Sequence, residues 1–403
     1  MKKDRAIAGK RVMKIRRDRN VPPINRRGFL SPYFRRQMMI KKSFILSILM
    51  VLFYTTATFG AADKDAYKNA YTIGSESASY AMKKLQKPQA GKILVITNAG
   101  FVRIDGIESP PALDAVSKIT GASIGSGSLI SLHSAPQRPL FFFFYNPNKG
   151  DSLYLEFSSI QKDAKKTKPS IERYESNFLG LIGQTDAFDK LSKEKLMGGN
   201  EFRLLMITSL WVKGIPMEMR NSISFHDHFC PGVTSGFYIV EFLKNDFPLA
   251  KDESYYVIAS PPWCKDDAIQ TILNTTVGKR SLAVIPFNDE DKKCLAEQAK
   301  NVAGIYFKHN RADKTSTGLV LAFDWDKIRT DAGIKPSQQK TPPSETVKLA
   351  GFMFDNLKNY KRYVTVIKGF SLKDGEMPED YARVGVNPWK KLGLWNEKCE
   401  ITK

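Results

Sequence analysis

The sequence is poor in the residues and motifs that mark common enzyme classes. Its 403 residues include four cysteines and four histidines, and four cysteines in a chain of this length do not form a disulfide scaffold. It has no phosphate-binding loop, dinucleotide fingerprint or nucleophile elbow, and the Gly-Ser-Gly run at residues 125–127 lacks the spacing and strand context for phosphate binding. The sequence therefore does not point to nucleotide-dependent or serine-hydrolase chemistry.

A hydrophobic run long enough to span a membrane is also missing. The uncharged segment from Phe44 to Gly60 is strongly apolar over only about a dozen residues, short of the ~20 that a spanning helix needs. It follows two lysines and ends in small residues, which is the pattern of a cleaved secretory signal. We predict a basic extension over residues 1–38, a signal peptide over 39–61 with cleavage near residues 60–62, and a periplasmic or secreted protein.

The export route has two candidate signals. Met38 or Met39 would begin an ordinary Sec-type signal peptide, which we favour and which makes the preceding residues a mis-assigned start. Residues 25–30, Asn-Arg-Arg-Gly-Phe-Leu, resemble the twin-arginine motif, but four basic residues separate them from the apolar run. Contact with a membrane is expected only through this segment, if it is not cleaved.

Positive charge is concentrated at the N-terminus. The formal net charge is +21, and residues 1–42 hold fifteen Lys or Arg against two acids, so they supply thirteen of these charges. The remaining charge is modest for the length of the chain, and we expect no nucleic-acid partner. With 42% hydrophobic residues, the chain can bury one large core or two ordinary ones.

Two segments about 155 residues apart repeat the same order of features. Residues 112–129 and 265–282 share Asp, Ala, Gly, Ser and Leu at the same spacing. Each match follows a helical pattern and a strand-like run, and each precedes two more strand-like runs. We predict an α+β fold, built by tandem duplication of a helix-strand-helix-strand-strand module whose two copies pack as a pseudo-dimer.

This organisation divides the exported chain into four parts. The first, degenerate module covers residues 62–165, and a mainly helical connector at 166–222 is expected to dock on the second module, at 223–330. A linker and an irregular tail, with one helical pattern, cover residues 331–403. The predicted strand-like runs are residues 92–97, 141–145 and 153–157 in the first module, and 255–259, 304–307 and 319–323 in the second.

The strongest candidate site is formed by His226, His228 and Cys230. They alternate along the chain, and Pro231 disfavours helix at Cys230, so we predict an extended segment with all three side chains on one side. A helix should begin at Pro231, and its N-terminus would stabilise a Cys230 thiolate. Imidazole and thiolate are the ligands that zinc prefers. The pattern predicts a divalent transition-metal site, with zinc favoured.

A second cysteine, Cys264, lies at the start of another predicted helix. The sequence leaves three roles open for it: a fourth metal ligand, a nucleophile, or a disulfide partner of Cys230. The turn at residues 275–279 could present backbone amides and Lys279 to an anion, although a helix C-cap at Gly278 is the more ordinary interpretation. The other two cysteines, Cys294 and Cys399, are expected to be exposed and have no ligand-like neighbours.

Three motifs, in this order, resemble the FmdE family, which is named for a component of formylmethanofuran dehydrogenase. They are His226-Asp-His-Phe-Cys-Pro-Gly232, Cys264-Lys-Asp-Asp-Ala-Ile-Gln270 and Thr276-Val-Gly-Lys279. The resemblance is close over residues 223–330, whereas the first module matches the family pattern only in a degenerate form. It implies an α+β core with a cavity lined by the motif His and Cys residues, a transition-metal site, and an activity that is poorly defined across the family. It also implies cofactor-binding positions for Asp267, Gln270 and Lys279.

The sequence departs from the family pattern at several places. Asp227 stands where the family has Gly, Thr275 where it has Cys, and Arg280 where it has another Gly, and no C-terminal Cys-x-x-Cys zinc finger follows. In the first module, the counterparts of the site residues are Lys68, Ala70, Thr72 and Pro111. The first module has therefore lost the site and is expected to be structural.

We therefore predict an exported metal-dependent or metal-handling protein that acts on a small ligand. His226, His228 and Cys230 would be metal ligands, and Cys264 a fourth ligand or a reactive thiol. Whether a reaction is catalysed is left open. The alternatives are a non-catalytic module that binds an organic ligand or a metal complex, and a thiol redox protein that uses Cys230 and Cys264. A homodimer is compatible with the sequence.

Overall fold

The computed structural model describes residues 64–160, 168–335, 342–396 and 399. The predicted N-terminal extension and signal peptide lie outside the described residues, as does most of the predicted linker. The described chain contains two five-stranded sheets and many helices, which confirms the α+β fold. No helix in the described part is both long enough and apolar enough to cross a membrane.

The first sheet is built by residues 64–175. Its elements are α1 (Lys64–Lys84), β1 (Leu94–Thr97), β2 (Arg103–Ile104), β3 (Ile107–Glu108), α2 (Pro111–Thr120), β4 (Leu129–Ser131), β5 (Leu140–Asn146), β6 (Asp151–Phe157) and β7 (Ile171–Glu175). The strand order is β4-β1-β5-β6-β7, with β1 and β4 parallel and the other neighbours antiparallel. All seven residues of β5 are buried, as expected of a central strand covered on both faces.

The predicted connector is mainly helical after β7. It contains a 3-10 segment (Phe178–Gly183) and three helices, α3 (Thr185–Lys193), α4 (Glu201–Trp211) and α5 (Met217–His226). Leu204, Leu205 and Ile207 of α4 belong to one buried core with Phe141 and Phe143 of β5. The connector therefore covers one face of the first sheet, while α1 and α2 cover the other.

The second sheet is built by residues 231–396. Its elements are α6 (Pro231–Asp246), β8 (Glu253–Ala259), α7 (Lys265–Ile272), β9 (Leu282–Val284), α8 (Asp289–Cys294), a 3-10 turn (Glu297–Ala299), β10 (Val302–Asn310), β11 (Ser316–Phe323), α9 (Trp325–Asp331), α10 (Pro343–Asp355), a 3-10 segment (Leu357–Arg362), β12 (Val364–Ser371), a second 3-10 turn (Pro378–Tyr381) and α11 (Pro388–Lys391). The strand order is β9-β8-β10-β11-β12, with β8 and β9 parallel and the other neighbours antiparallel.

The two sheets share strand order and pairing directions. In each, a helix precedes a strand that pairs in parallel with a short edge strand and antiparallel with a longer one. This repeated topology is what a tandem duplication predicts, and the duplication itself remains an inference. The sequence pattern predicted fewer strands per module than the structure has, because it missed the short strands β4 and β9 and the fifth strands β7 and β12.

The C-terminal segment is more ordered than the irregular tail that the sequence predicted. Strand β12 pairs with β11 over seven residues, and it was missed because its side chains are mostly half-buried or exposed, so its apolar pattern is weak. The expectation that Cys294 is exposed is wrong, because Cys294 is buried, and it forms a disulfide with Cys399 that the sequence pattern did not indicate. Charged neighbours on α8 suggested exposure, but Cys294 turns towards the core that also holds Trp389.

Helix α5 lies between the two halves. The backbone amide of His133, after β4, donates to the carbonyl of Ser224 at 2.8 Å, and the Ser222 hydroxyl lies 2.6 Å from the Thr271 hydroxyl of α7. The core around α4 and α5 also includes Val233 of α6. The connector therefore packs on both sheet units and not on the second module alone, and this packing places the end of α5 beside α7.

Candidate metal centre

The segment from His226 to Cys230 is a helix end followed by a helix start. His226 is the last residue of α5, and Asp227 caps it in the left-handed conformation with φ 69°. The backbone is extended at Cys230, the N-cap of α6. The predicted extended segment over the whole motif is therefore wrong. Asp is one of the few non-glycine residues that tolerate the left-handed region. Asp227 can therefore occupy a position where the family pattern has Gly.

Three potential metal ligands converge in the described structure. One ligand atom each of His226, Cys230 and Cys264 lies within 4.8 Å of the other two, and His226 Nε2 lies 3.9 Å from Cys230 Sγ. Neither of these two cysteines forms a disulfide. In tetrahedral zinc geometry, the ligand atoms would stand about 3.5–3.8 Å apart. The donor set and its spacing therefore fit a transition metal after small side-chain movements.

His228 lies beside this group without belonging to it. Its ring centroid is 4.4 Å from that of His226, and its Nδ1 hydrogen-bonds to Asp227 Oδ1 at 2.7 Å. Arg203 approaches the other oxygen of Asp227 at 3.5 Å. Because the left-handed turn at Asp227 breaks the predicted alternation, His228 does not join His226, Cys230 and Cys264 in the group.

The predicted cofactor-binding residues occupy two different places. Asp267 Oδ2 lies 2.6 Å from His226 Nδ1, and Gln270 Nε2 donates to the other Asp267 oxygen at 2.8 Å. Asp267 and Gln270 thus stand behind His226 and orient its ring, as carboxylates do for metal-binding histidines. Lys279 is exposed and donates to Asn274, and it makes no hydrogen bond with the group.

Cys264 is held by a loop with a buried ion pair that sequence reasoning did not identify. Lys265 Nζ donates to the Pro261 carbonyl at 2.9 Å and pairs with Asp266 at 2.8 Å. Asp266 also accepts a hydrogen bond from the Trp263 amide at 2.8 Å. Lys265 and Asp266 are 4% and 7% exposed. Asp266 is therefore part of a buried network that fixes the Cys264 loop.

Two glycines allow α6 to approach this loop. A Cβ atom on Gly232 would stand 2.7 Å from Trp263 Nε1 and 2.8 Å from Cys264 Cβ, and one on Gly236 would stand 2.4 Å from the Lys265 carbonyl oxygen. Neither position has room for a side chain. The glycine of the Cys-Pro-Gly motif therefore lets the two cysteines meet.

Hydrogen bonds within the group shift the pKa values of its three side chains. Burial lowers the pKa of His226, but its hydrogen bonds to Asp267 and Cys264 outweigh burial and raise the pKa to about 9. The hydrogen bond from Cys230 lowers the pKa of Cys264 against the effect of burial, and the interaction with His226 brings it to about 4. The same hydrogen bond, together with burial, raises the pKa of Cys230. These shifts favour a protonated His226, a thiolate on Cys264 and a thiol on Cys230.

A cavity of about 500 Å³ opens beside the two cysteines. Its walls come from the start of α6, the loop before α7, the start of β10, and helices α9 and α10. Pockets of this size accommodate small organic molecules. The cysteines therefore face a chamber in which a small ligand could lie.

These features define an α+β domain with a candidate transition-metal centre at the edge of a cavity. Residues 225–350 match the family model FmdE, described as the molybdenum formylmethanofuran dehydrogenase operon. This part of the chain is an FmdE-like domain, which confirms the resemblance drawn from the three motifs. The match begins beside His226 and extends into α10, so it includes the whole group and the cavity walls. A search of curated proteins found no match.

Proposed function

We propose that the protein is exported and binds a transition metal, zinc by preference, through His226, Cys230 and Cys264, to act on a small ligand. The observation that carries this proposal is the convergence of one imidazole and two cysteine sulfurs within 4.8 Å. Three protein ligands leave a position open, as in catalytic rather than structural zinc sites. A bound metal would supply Lewis acidity towards an oxygen or nitrogen of the ligand.

The surrounding residues prepare the ligands for this role. Asp267 holds His226 Nδ1, so that Nε2 faces the sulfurs, and Gln270 fixes Asp267. The Val233 amide donates to Cys230 Sγ at 3.4 Å, which favours the thiolate of a thiol that is otherwise hard to ionise. A bound metal would be held by the Cys230 thiolate and the neutral His226 imidazole, so metal binding would release a proton from each of these side chains.

Export is supported by the contrast between the two cysteine pairs. Cys294 and Cys399 form a disulfide, as expected in an oxidising compartment, whereas Cys230 and Cys264 are free although their sulfurs lie close together. In such a compartment a bound metal would protect the second pair from oxidation. N-terminal sequencing of protein recovered from an extracytoplasmic fraction should find a start near residues 60–62. A full-length cytoplasmic product would contradict export.

Elemental analysis of full-chain protein purified without chelators tests the metal. We expect about one equivalent of zinc or a related metal, lost in His226→Ala, Cys230→Ala and Cys264→Ala. The matched controls are His228→Ala, which is adjacent to the group, and the remote His309→Ala, and both should retain most of the metal. Metal-free wild-type protein, or equal metal content in all variants, would refute the proposal.

A second candidate is a thiol redox protein, favoured by the low pKa of Cys264 beside the Cys230 thiol. Its step would join the two sulfurs, with transfer of two electrons and two protons to an external disulfide that is reduced to two thiols. Metal-free protein with a reversible Cys230–Cys264 disulfide would favour this candidate over the metal site.

A further inference from the structure

We infer that the cavity beside Cys230 and Cys264 binds an uncharged, flat and largely apolar small molecule. The inference rests on the proposed function in one respect, because it names the kind of ligand that would lie beside the metal. The charge and the apolar body of this ligand are inferred from the walls of the cavity alone. They can therefore be tested in protein with and without metal.

The charged side chains of the cavity walls already have partners. Lys265 Nζ lies 2.8 Å from Asp266 Oδ2, and both residues are buried. Lys300 is exposed and pairs with Glu297, and Arg329 also interacts with another group. Among the described residues, the lining includes no aspartate or glutamate. A charged ligand would lose hydration in the cavity without gaining a free counter-charge, which is costly, so the walls favour an uncharged molecule.

The two hydroxyl groups of the lining are also engaged. Ser235 Oγ donates to the Gly232 carbonyl at 2.7 Å, and Thr346 Oγ1 donates to the Pro342 carbonyl at 3.0 Å. Each bond lies within the first turn of the residue's own helix. Neither hydroxyl proton is left for a ligand, so these residues give no reason to expect a strongly polar one.

Apolar and aromatic side chains form much of the remaining wall. They are those of Trp263, Val302, Phe323, Trp325 and Leu349. Phe323 and Leu349 are 1% exposed, whereas Trp263 is 63% exposed, so the cavity has a buried apolar interior and an indole at its open side. The rings of Phe323 and Trp325 are in contact, with centroids 4.7 Å apart. Aromatic walls of this kind favour a ring or a comparably flat apolar group, and a volume of about 500 Å³ accommodates one.

Titration calorimetry with three probes of similar size tests the charge preference. Naphthalene-2-methanol is uncharged, 2-naphthoate is an anion and 2-naphthylmethylammonium is a cation. Each is measured on zinc-loaded and on chelator-treated full-chain protein. We expect the uncharged probe to bind at least about tenfold more tightly than either charged probe in both preparations, because no free counter-charge faces the cavity. Equal or tighter binding of a charged probe would overturn the inference.

Variants of the walls test where the uncharged probe binds. Trp263→Ala should weaken its binding about threefold or more, and Thr346→Phe, which adds a ring to the lining, about tenfold or more. The matched controls are Phe101→Ala, an aromatic residue that is 39% exposed, and Lys348→Phe, an exposed position on α10, because neither lines the cavity. Both controls, and Lys300→Gln in the wall, should bind the probe as wild type does.

The outcomes separate this inference from the proposed metal site. If Trp263→Ala and Thr346→Phe both bind the uncharged probe as tightly as wild type, the probe lies elsewhere and the inference is wrong, whether or not metal is bound. Binding that these two variants weaken, in protein that takes up no metal, would sustain the inference about the cavity and refute the metal site.

Discussion

Replacing Asp267 by Asn should weaken metal binding without dismantling the site. The Asp267 carboxylate lies 2.6 Å from His226 Nδ1, and the His226 side chain is only 12% exposed, so solvent screens this interaction weakly. The Asn side chain keeps the shape and a carbonyl oxygen but loses the charge. Its effect should therefore be on the basicity and orientation of His226.

The expected loss is set by the position of Asp267 behind a metal ligand. Removal of such a partner typically costs 10- to 100-fold in metal affinity, which corresponds to about 1.4–2.7 kcal/mol. In metal-free protein the pKa of His226, now about 9, should fall, because burial lowers it and one of the two hydrogen bonds that oppose burial loses its charge.

Competition with a chromogenic zinc chelator would measure the affinity, and NMR titration would measure the histidine pKa. Asp267 is also an acid in the first turn of α7, so the control is Asp186→Asn, an exposed first-turn acid of α3 far in sequence from the site. Gln270→Ala should lower the affinity less than Asp267→Asn. If Asp267→Asn holds zinc as tightly as wild type while His226→Ala does not, the role assigned to Asp267 is wrong.

Four further predictions concern reactivity and stability. In metal-free protein, iodoacetamide should alkylate Cys264 at a nearly constant rate from pH 6 to pH 8, because its pKa is about 4, and a rate that rises tenfold per pH unit in this range would contradict the thiolate. The pKa of Cys264 is 9.0 for a free thiol and about 4 in the fold, so its thiolate contributes stability that is lost as the pH falls through this range. The raised pKa of His226, from 6.5 to about 9, has the opposite effect between pH 6.5 and 9. The unfolding free energy of metal-free protein should therefore decline as the pH falls from about 6.5 through 4, and by less in Cys264→Ser. Lys265→Met should lower the free energy of unfolding, measured in urea, by about 3–5 kcal/mol, because it leaves the buried charge of Asp266 unpaired. Lys265→Met/Asp266→Leu removes both charges and should lower it by less. A larger loss in the double variant would refute the role of this pair. Cys399→Ala should lower stability by about 2–5 kcal/mol, because the disulfide closes a long loop, and an unchanged midpoint would show that the disulfide adds nothing.

Local sequence determined most of the secondary structure and the start of each motif helix. The apolar runs at residues 141–145 and 319–323 are strands, because aromatic and branched residues favour a pleated and buried backbone. Pro231 begins α6 and places Cys230 at its N-cap, since proline suits the first helical position. The three motifs were likewise sufficient to identify the FmdE-like domain.

Only the tertiary structure decided which residues meet at the site. Cys264 reaches His226 and Cys230 because α6 packs closely on the following loop at Gly232, and Lys265 is buried because that loop folds around it. The alternation of His226, His228 and Cys230 along the chain predicts His228 in the group, but the left-handed backbone at Asp227 leaves His228 beside it.

The same distinction explains the C-terminal segment. Strand β12 exists because β11 offers it an edge to pair with, and the Cys294–Cys399 disulfide joins residues 105 positions apart. Periodicity and propensity describe neighbours along the chain, over a turn of helix or a few residues of strand. They contain no information on which distant segments will pack together, and the candidate metal centre, its cavity and the disulfide are all contacts of that kind.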